Sequence, residues 1–479
     1  MKTYRLFRTL LAAVFLSVLG CSQEDVPMSV ANLEPTAESL RSMDELKSYA
    51  ISAYGKLCGT HSRSSLEVKD IVPVGTRGRS EDLNEIYAVN FENNNGYVLT
   101  TTNPKIEPIL AVVEEGSFDE EKIPEGVQNF IQAAQRFKPD PIGPVAPIAP
   151  VDTNRLNFQY WELKTDTFVS KKIEPQLKVW WGQNNLYNYF TPTYYDKLWL
   201  RTEHMPTGCV PTAISMALSF TKHISKLPIT FDGRNEILQL NWDEILKHKK
   251  YTMRCDIEPI WLEGDCDASK DAHLAIATLL RQVGELCNVQ YGENGSSATF
   301  EDAYNCLKQL NFDFESASST NGFTYNRVSS HLNNDEILIM FGKDTRDQMT
   351  GVHANHCFII DGCDCLSYRV TFTMYEEIPT IGGVIRKPLY SYIEEEYASY
   401  LAHVVWGFDE LGVGYFNDNV LRTISPVKLD EGASSCGTDY SFSKNEYIRI
   451  KRPKLTLIPD IPIEPGLPPI IPVLPIPVK

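Results

Sequence analysis

Five prolines, Pro139, Pro141, Pro144, Pro147 and Pro150, stand within twelve residues near the end of the first third of the chain. Proline lacks a backbone N–H and fixes φ, so this stretch can be neither helix interior nor central strand. It reads as an extended linker over 139–152, and it forces the sequence on either side to bury its own apolar residues. Ahead of it, residues 41–138 carry helical spacing at Leu46, Ala50, Ala53 and Leu57. Two strand-like runs, 86–91 and 97–100, then flank the turn Asn93-Asn94-Asn95-Gly96. A further strand is expected over 109–113, and a helix runs from Ile123-Pro124-Glu125-Gly126-Val127 through Phe137. Behind the linker, residues 153–452 are long enough for a large core, helical around 209–221 and 271–288 and strand-rich from 336 to 417. Prolines then recur almost every third residue, so 453–479 reads as an extended tail. The expected class is α+β in both units.

Lys2, Arg5 and Arg8 precede an apolar run, Leu10–Leu19, too short to span a bilayer as a mature helix. Residues 1–20 have the pattern of a secretory signal. The sequence Leu16-Ser17-Val18-Leu19-Gly20-Cys21 resembles a bacterial lipobox, which implies diacylation of Cys21 and a flexible tether over 21–40. Ser22-Gln23-Glu24-Asp25 resembles the export signal of Gram-negative surface lipoproteins. The expectation is an exported outer-membrane lipoprotein at the cell surface, with release after processing. An ordinary cleaved signal with an incidental cysteine is the alternative. The net charge of −17 argues against a nucleic-acid partner. Of eleven cysteines, nine remain after Cys21 and Cys209, an odd number that cannot all pair. Cys255 and Cys266 flank an acidic segment that a disulfide could close.

The stretch Thr207-Gly208-Cys209-Val210-Pro211-Thr212-Ala213-Ile214-Ser215-Met216-Ala217-Leu218 reads as a turn, one cysteine and a buried helix. Val210, Ala213, Ile214, Ala217 and Leu218 share one face. Pro211 fits only the first turn, which puts Cys209 at the helix N-terminus, beside unpaired N–H groups that favour a thiolate. Taken locally, a small buried hydrophobe explains Cys209 equally well.

A thiol nucleophile needs a base and oxyanion donors. His356 precedes the apolar run Cys357-Phe358-Ile359-Ile360, which ends in Asp361-Gly362. It follows Cys209 by 147 residues, inside the roughly 130–150 spacing of papain-type enzymes. His353, three residues earlier, is the competing base. Gln183, in Trp180-Trp181-Gly182-Gln183, offers an amide that could complete an oxyanion hole with the Cys209 N–H.

These segments in this order resemble the streptopain family of papain-like cysteine peptidases. The matching residues are Trp181-Gly182-Gln183, then Gly208-Cys209-Val210-Pro211-Thr212-Ala213, then Ser296-Ser297-Ala298. They continue with His356-Cys357-Phe358-Ile359-Ile360-Asp361-Gly362 and end at Trp406-Gly407. Gly96-Tyr97-Val98 and Pro108-Ile109-Leu110 resemble the family's inhibitory propeptide. The resemblance implies a two-lobed papain-like α+β fold, a helical lobe carrying Cys209 and an antiparallel β lobe carrying His356, behind a small α+β prodomain. It implies Cys209 as nucleophile, His356 as base, Gln183 as oxyanion donor, Gly208 and Trp406 as active-site support, and Ser297 and Ala298 near the substrate pocket.

It further implies an endopeptidase made as a zymogen, cut in the linker or at Lys164, Lys171 or Lys172. Protein or peptide substrates, a membrane reached by the lipid anchor before processing, and a dedicated inhibitor are the expected partners. No cofactor is needed, and the cysteine and histidine spacing fits no structural zinc pattern. The chain departs from the family where Val405 replaces an asparagine before Trp406, and where Phe408-Asp409-Glu410-Leu411-Gly412 replaces a Gly-rich loop. These departures motivate an alternative, a catalytically weak surface lipoprotein that binds or inhibits peptidases on the same fold. A transglutaminase-like acyl transferase would use the same Cys–His pair.

Overall fold

In the computed structural model the described residues are 40–59, 66–75, 84–137, 158–251, 268–318, 325–342, 356–380, 383–409, 411–421 and 446–453. The signal segment, Cys21 and all but the last residue of the tether, His353, Glu410, the Cys255 and Cys266 pair, the whole linker and nearly all of the tail lie outside them. Residues from Leu40 onward form one compact unit.

The chain enters through helix α1, Met43–Leu57, started by a capping box in which Ser42 and Glu45 satisfy each other's backbone N–H groups. Strands β1 (Val68–Val74), β2 (Ile86–Phe91), β3 (Tyr97–Thr101) and β4 (Ile109–Val113) follow as an antiparallel meander. The β2–β3 turn uses Asn93 and Asn94 at positive φ, a conformation that asparagine tolerates. Helix α2, Glu125–Arg136, completes the N-terminal part.

The second part opens with β5, Phe158–Ile173, and two small hairpins, β6–β7 (Thr193–Asp196, Arg201–His204) and β8–β9 (Lys226–Ile229, Glu236–Gln239). Between the hairpins runs helix α3, Cys209–Thr221. Helices α4 (Lys270–Leu286), α5 (Phe300–Gln309) and α6 (Tyr325–Leu332) alternate with β10 (Phe314–Ser318) and β11 (Glu336–Gly342). The long strands β12 (His356–Thr380) and β13 (Gly383–Val405), then β14 (Gly414–Asn417) and β15 (Glu446–Lys451), close the chain.

Eleven of these strands form one sheet, ordered β1-β2-β3-β4-β14-β13-β12-β11-β15-β10, with β5 also on β12. Across β11 the residues alternate. Ile337, Ile339 and Phe341 join a core built around α3, while Leu338 and Met340 join a second core on the opposite face. That period of two is the mark of a strand buried on both sides. The α3 core holds α4, α5 and Val405, and the opposite core holds α2, α6 and Trp406. All of α3 after Cys209 is buried, at about 1.5–3 kcal/mol for each large apolar side chain. The fold is α+β, with a helical layer carrying Cys209 against an antiparallel sheet carrying His356. The N-terminal strands do not stand apart from it. Gly414, Tyr415 and Phe416 of β14 pair with Val113, Val112 and Ala111 of β4, and the sheet runs through both parts.

Candidate active site

Gly208 caps α3 with φ of +93°, a backbone that side chains disfavour. A Cβ there would also stand 2.9 Å from the Ser296 carbonyl oxygen. Ser296 Oγ donates to the Pro206 carbonyl at 2.6 Å, and Thr212 Oγ1 donates to Gly208 O at 2.9 Å. The Cys209 turn is therefore clamped from both sides.

Cys209 keeps part of its surface exposed, yet burial among protein atoms dominates its thiol. Desolvation raises the pKa from 9.0 to about 11. The amides of Cys357, Cys209 and Val210 pull it down, and the Glu125 carboxylate pushes it up. The helix N-terminus acts in the expected direction and is outweighed.

His356 opens β12, paired with Gly342 of β11. Its ring is buried and lies near-parallel to Phe408 at 5.4 Å, Trp406 at 6.1 Å and Phe358 at 6.2 Å. Its Nε2 lies 2.8 Å from the Trp406 carbonyl oxygen. A carbonyl only accepts, so Nε2 carries the proton and the neutral ring keeps its lone pair on Nδ1. The missing amide at Val405 thus does not leave the ring unoriented, because a main-chain carbonyl one residue on holds it. Burial lowers the imidazole pKa to about 4, against the opposing pull of that carbonyl. No hydrogen bond joins the Cys209 sulfur to the His356 ring among the described residues. Burial thus pushes the Cys209 thiol up and the His356 imidazole down, each toward its neutral form and against the thiolate that the helix N-terminus favours.

Gln183 is buried, and its carbonyl accepts the Thr207 N–H at 2.9 Å. Its Nε2 donates to Gly407 O at 3.4 Å, which lays the amide between the Cys209 turn and the His356–Trp406 side. Asp409 has φ of +56° and turns inward. Its Oδ1 accepts from Tyr251 N at 3.2 Å, and its Oδ2 sits 2.5 Å from where a Gly182 Cβ would be. The loop that replaces a Gly-rich one is therefore tied down beside Gln183. Ser297 exchanges backbone hydrogen bonds with Gln290 at 2.9 and 3.1 Å, and Ala298 packs on the α3 core.

Three contributors were not singled out from the sequence. Phe408 stacks on the imidazole, Ser296 straps the Cys209 turn, and helix α2 covers Trp406. The Gly126 backbone lies so close to the Trp406 ring that a Cβ would overlap it, and a Gly412 Cβ would stand 2.5 Å from Val127. Phe130 meets Phe416 edge-on at 5.0 Å. The signal for Gly126 was a glycine in the first turn of a helix, where nothing local requires one.

Residues 181–416 match the Peptidase C10 family model, and residues 60–137 match the Spi protease inhibitor model. A search of curated proteins returned no match. Among solved structures, a fragment of Prevotella intermedia prointerpain A is 17% identical, covers 78% of this chain and 96% of its own, and has a TM-score of 0.44. The active cysteine protease interpain A of the same organism is 18% identical over 58% of this chain and 95% of its own, with a TM-score of 0.34.

Proposed function

We propose that this chain, a Peptidase C10 cysteine peptidase led by a Spi-type inhibitor domain, is an exported endopeptidase made as a latent precursor and anchored by lipid at Cys21. Cys209 is the nucleophile. Its proton passes to His356 Nδ1, and the thiolate sulfur attacks the scissile carbonyl carbon. The Gln183 amide and the Cys209 N–H hold the oxyanion. The imidazolium returns the proton to the departing amine, leaving a thioester. Water then attacks with His356 as base, the carboxylate leaves, and the thiol is restored. Trp406 and Phe408 shield the ring, and Ser297 and Ala298 lie toward the substrate side chain.

One observation carries this reading most: the Trp406 carbonyl accepts the Nε2–H hydrogen bond, which keeps the proton on Nε2 and leaves the lone pair on Nδ1. Latency is supported by helix α2, which packs on Trp406, the residue whose carbonyl orients His356. Lys171 and Lys172 pair with Cys365 and Asp364 in the β5–β12 ladder, so cutting there needs the strand to peel away. Cleavage in 139–152 leaves β5 with the peptidase and frees it from the lipid-bearing segment. A separate Spi-type protein would serve as the dedicated inhibitor.

The test compares the full chain with Cys209→Ala. The wild type is expected to process itself, hydrolyse casein and take an epoxysuccinyl label on Cys209, and the variant to do none of these. A wild type that neither processes nor labels would favour the catalytically weak binding protein. Incorporation of amines into glutamine substrates would instead indicate acyl transfer.

A further inference from the structure

Away from the reacting atoms, three chain segments meet at Asp361. Its Oδ1 lies 2.6 Å from His403 Nδ1, and both side chains are fully buried. Its Oδ2 accepts the Leu177 N–H at 2.8 Å, and its main-chain oxygen accepts the Gln176 N–H at 3.1 Å. The next residue, Gly362, has no room for a side chain. A Cβ would stand 2.9 Å from Ile173 O, 3.1 Å from Pro175 N and 3.2 Å from His403 Cβ.

Each segment leads to a different part of the proposed site. Asp361 lies on β12, five residues after His356. His403 lies on β13, three before Trp406, whose carbonyl orients the His356 ring. Leu177 lies six residues before Gln183. Base, base-orienting carbonyl and oxyanion amide are thus gathered by one carboxylate.

Burial opposes a charge on His403, but Asp361 and Glu114 together outweigh it and raise its pKa to about 10. A charged pair with no exposure is an expensive way to hold two strands together, since apolar residues of similar volume do it as well or better. What a carboxylate offers is direction. It fixes two partners at set angles on two different segments.

We propose that Asp361 and His403 are the positioning pair of the active site, holding the His356, Trp406 and Gln183 segments in the register that hydrolysis requires. The proposal rests on the peptidase reading above. Glu114 of the N-terminal part also faces this imidazole, with Oε1 3.4 Å from His403 Nε2. It leaves with that part on processing, so it serves as an internal control.

The experiment uses the full chain, processed, with kcat and KM normalised to titrated Cys209. Asp361→Asn and His403→Leu are expected to lower kcat about 10- to 100-fold with KM nearly unchanged, the scale of sub-ångström misplacement. His403→Asn puts a side-chain N–H where Nδ1–H was, and is expected to recover most of kcat. Glu114→Gln is expected to leave processed kcat unchanged. Wild-type kcat in Asp361→Asn or His403→Leu would overturn the proposal, as would equal loss in His403→Asn and His403→Leu. If Asp361→Asn does not fold, the two His403 variants decide. If the wild type shows no hydrolysis, the peptidase reading fails on its own. The positioning claim is then judged by the pH profile of Cys209 carboxymethylation, expected to shift in His403→Leu and to return in His403→Asn. An unmoved profile overturns it.

Discussion

Cys209 and His356 are both withdrawn from water, but by different parts of the molecule. Cys209 is held by its neighbours in sequence: Gly208 at positive φ, the first turn of α3 and the Thr212 hydroxyl. His356 is held by Phe358 on its own strand and by the Trp406–Phe408 segment some fifty residues on, with Gly126 of the N-terminal part packed against the Trp406 ring. The Cys209 turn is thus shaped mainly by its own segment, with Ser296 strapping it from outside. The base's environment depends on whether α2 is docked.

The sharpest way to break this contrast is to remove each half in turn. Cys209→Ala and His356→Ala, processed in trans by the wild-type protein that is then removed, are each expected to lower kcat/KM by about a thousandfold or more, measured on a fluorogenic peptide. Gln183→Ala should cost about 10²-fold in kcat, since one oxyanion donor is lost and the Cys209 N–H remains.

The difference in burial gives a pH test. In the full-length chain the thiol titrates near 11, so alkylation by iodoacetamide is expected to rise about tenfold per pH unit from pH 7 to 10. After processing, Glu125 and the overlying helix are gone. The profile should then move to lower pH, and an unmoved profile would show that α2 does not control the thiol. Gly126→Leu probes the same contact from the other side. Its side chain cannot fit against the Trp406 ring, so Cys209 in the unprocessed chain should label several-fold faster, with processed kcat unchanged.

The smallest effect concerns stability. Asp364 is fully buried, and desolvation raises its carboxyl pKa to about 7. Its folded pKa lies above the unfolded value. Folding is therefore penalised as pH rises from about 4 to 7, and the penalty is constant above that. Asp364→Asn is expected to raise the thermal midpoint at pH 8, by about 1–3 kcal/mol of stability, and to change little at pH 4. Equal midpoints at both pH values would mean that the carboxyl is not desolvated as described.

Much of the fold was legible because it follows short-range rules. Helix α1 begins at its capping box, the β2–β3 hairpin turns at its asparagines, and α2 and α3 fall where their apolar spacing put them. The site was legible in its parts. Gly208 caps the helix that begins at Cys209, Trp406 holds the His356 ring through its carbonyl, and the Gln183 amide reaches Gly407. Ser296, rather than Ser297, makes the side-chain bond to the Cys209 turn, a choice between adjacent serines that only loop geometry could make. Phe408 looked like a departure from a pattern and proved to be the nearest stacking partner of the imidazole among Phe358, Trp406 and Phe408.

By itself, the sequence determined the helix that presents Cys209, the strand that begins at His356 and the order in which the site's pieces arrive. Those depend on periodicity, caps and turns, which act over a few residues. The tertiary structure decided how deeply Cys209 and His356 are desolvated and what orients the His356 ring. It also decided the joining of N-terminal strands to the peptidase sheet through β4 and β14. Burial and hydrogen-bond direction depend on atoms brought together from hundreds of residues apart, and desolvation there outweighs the local pull of a helix end.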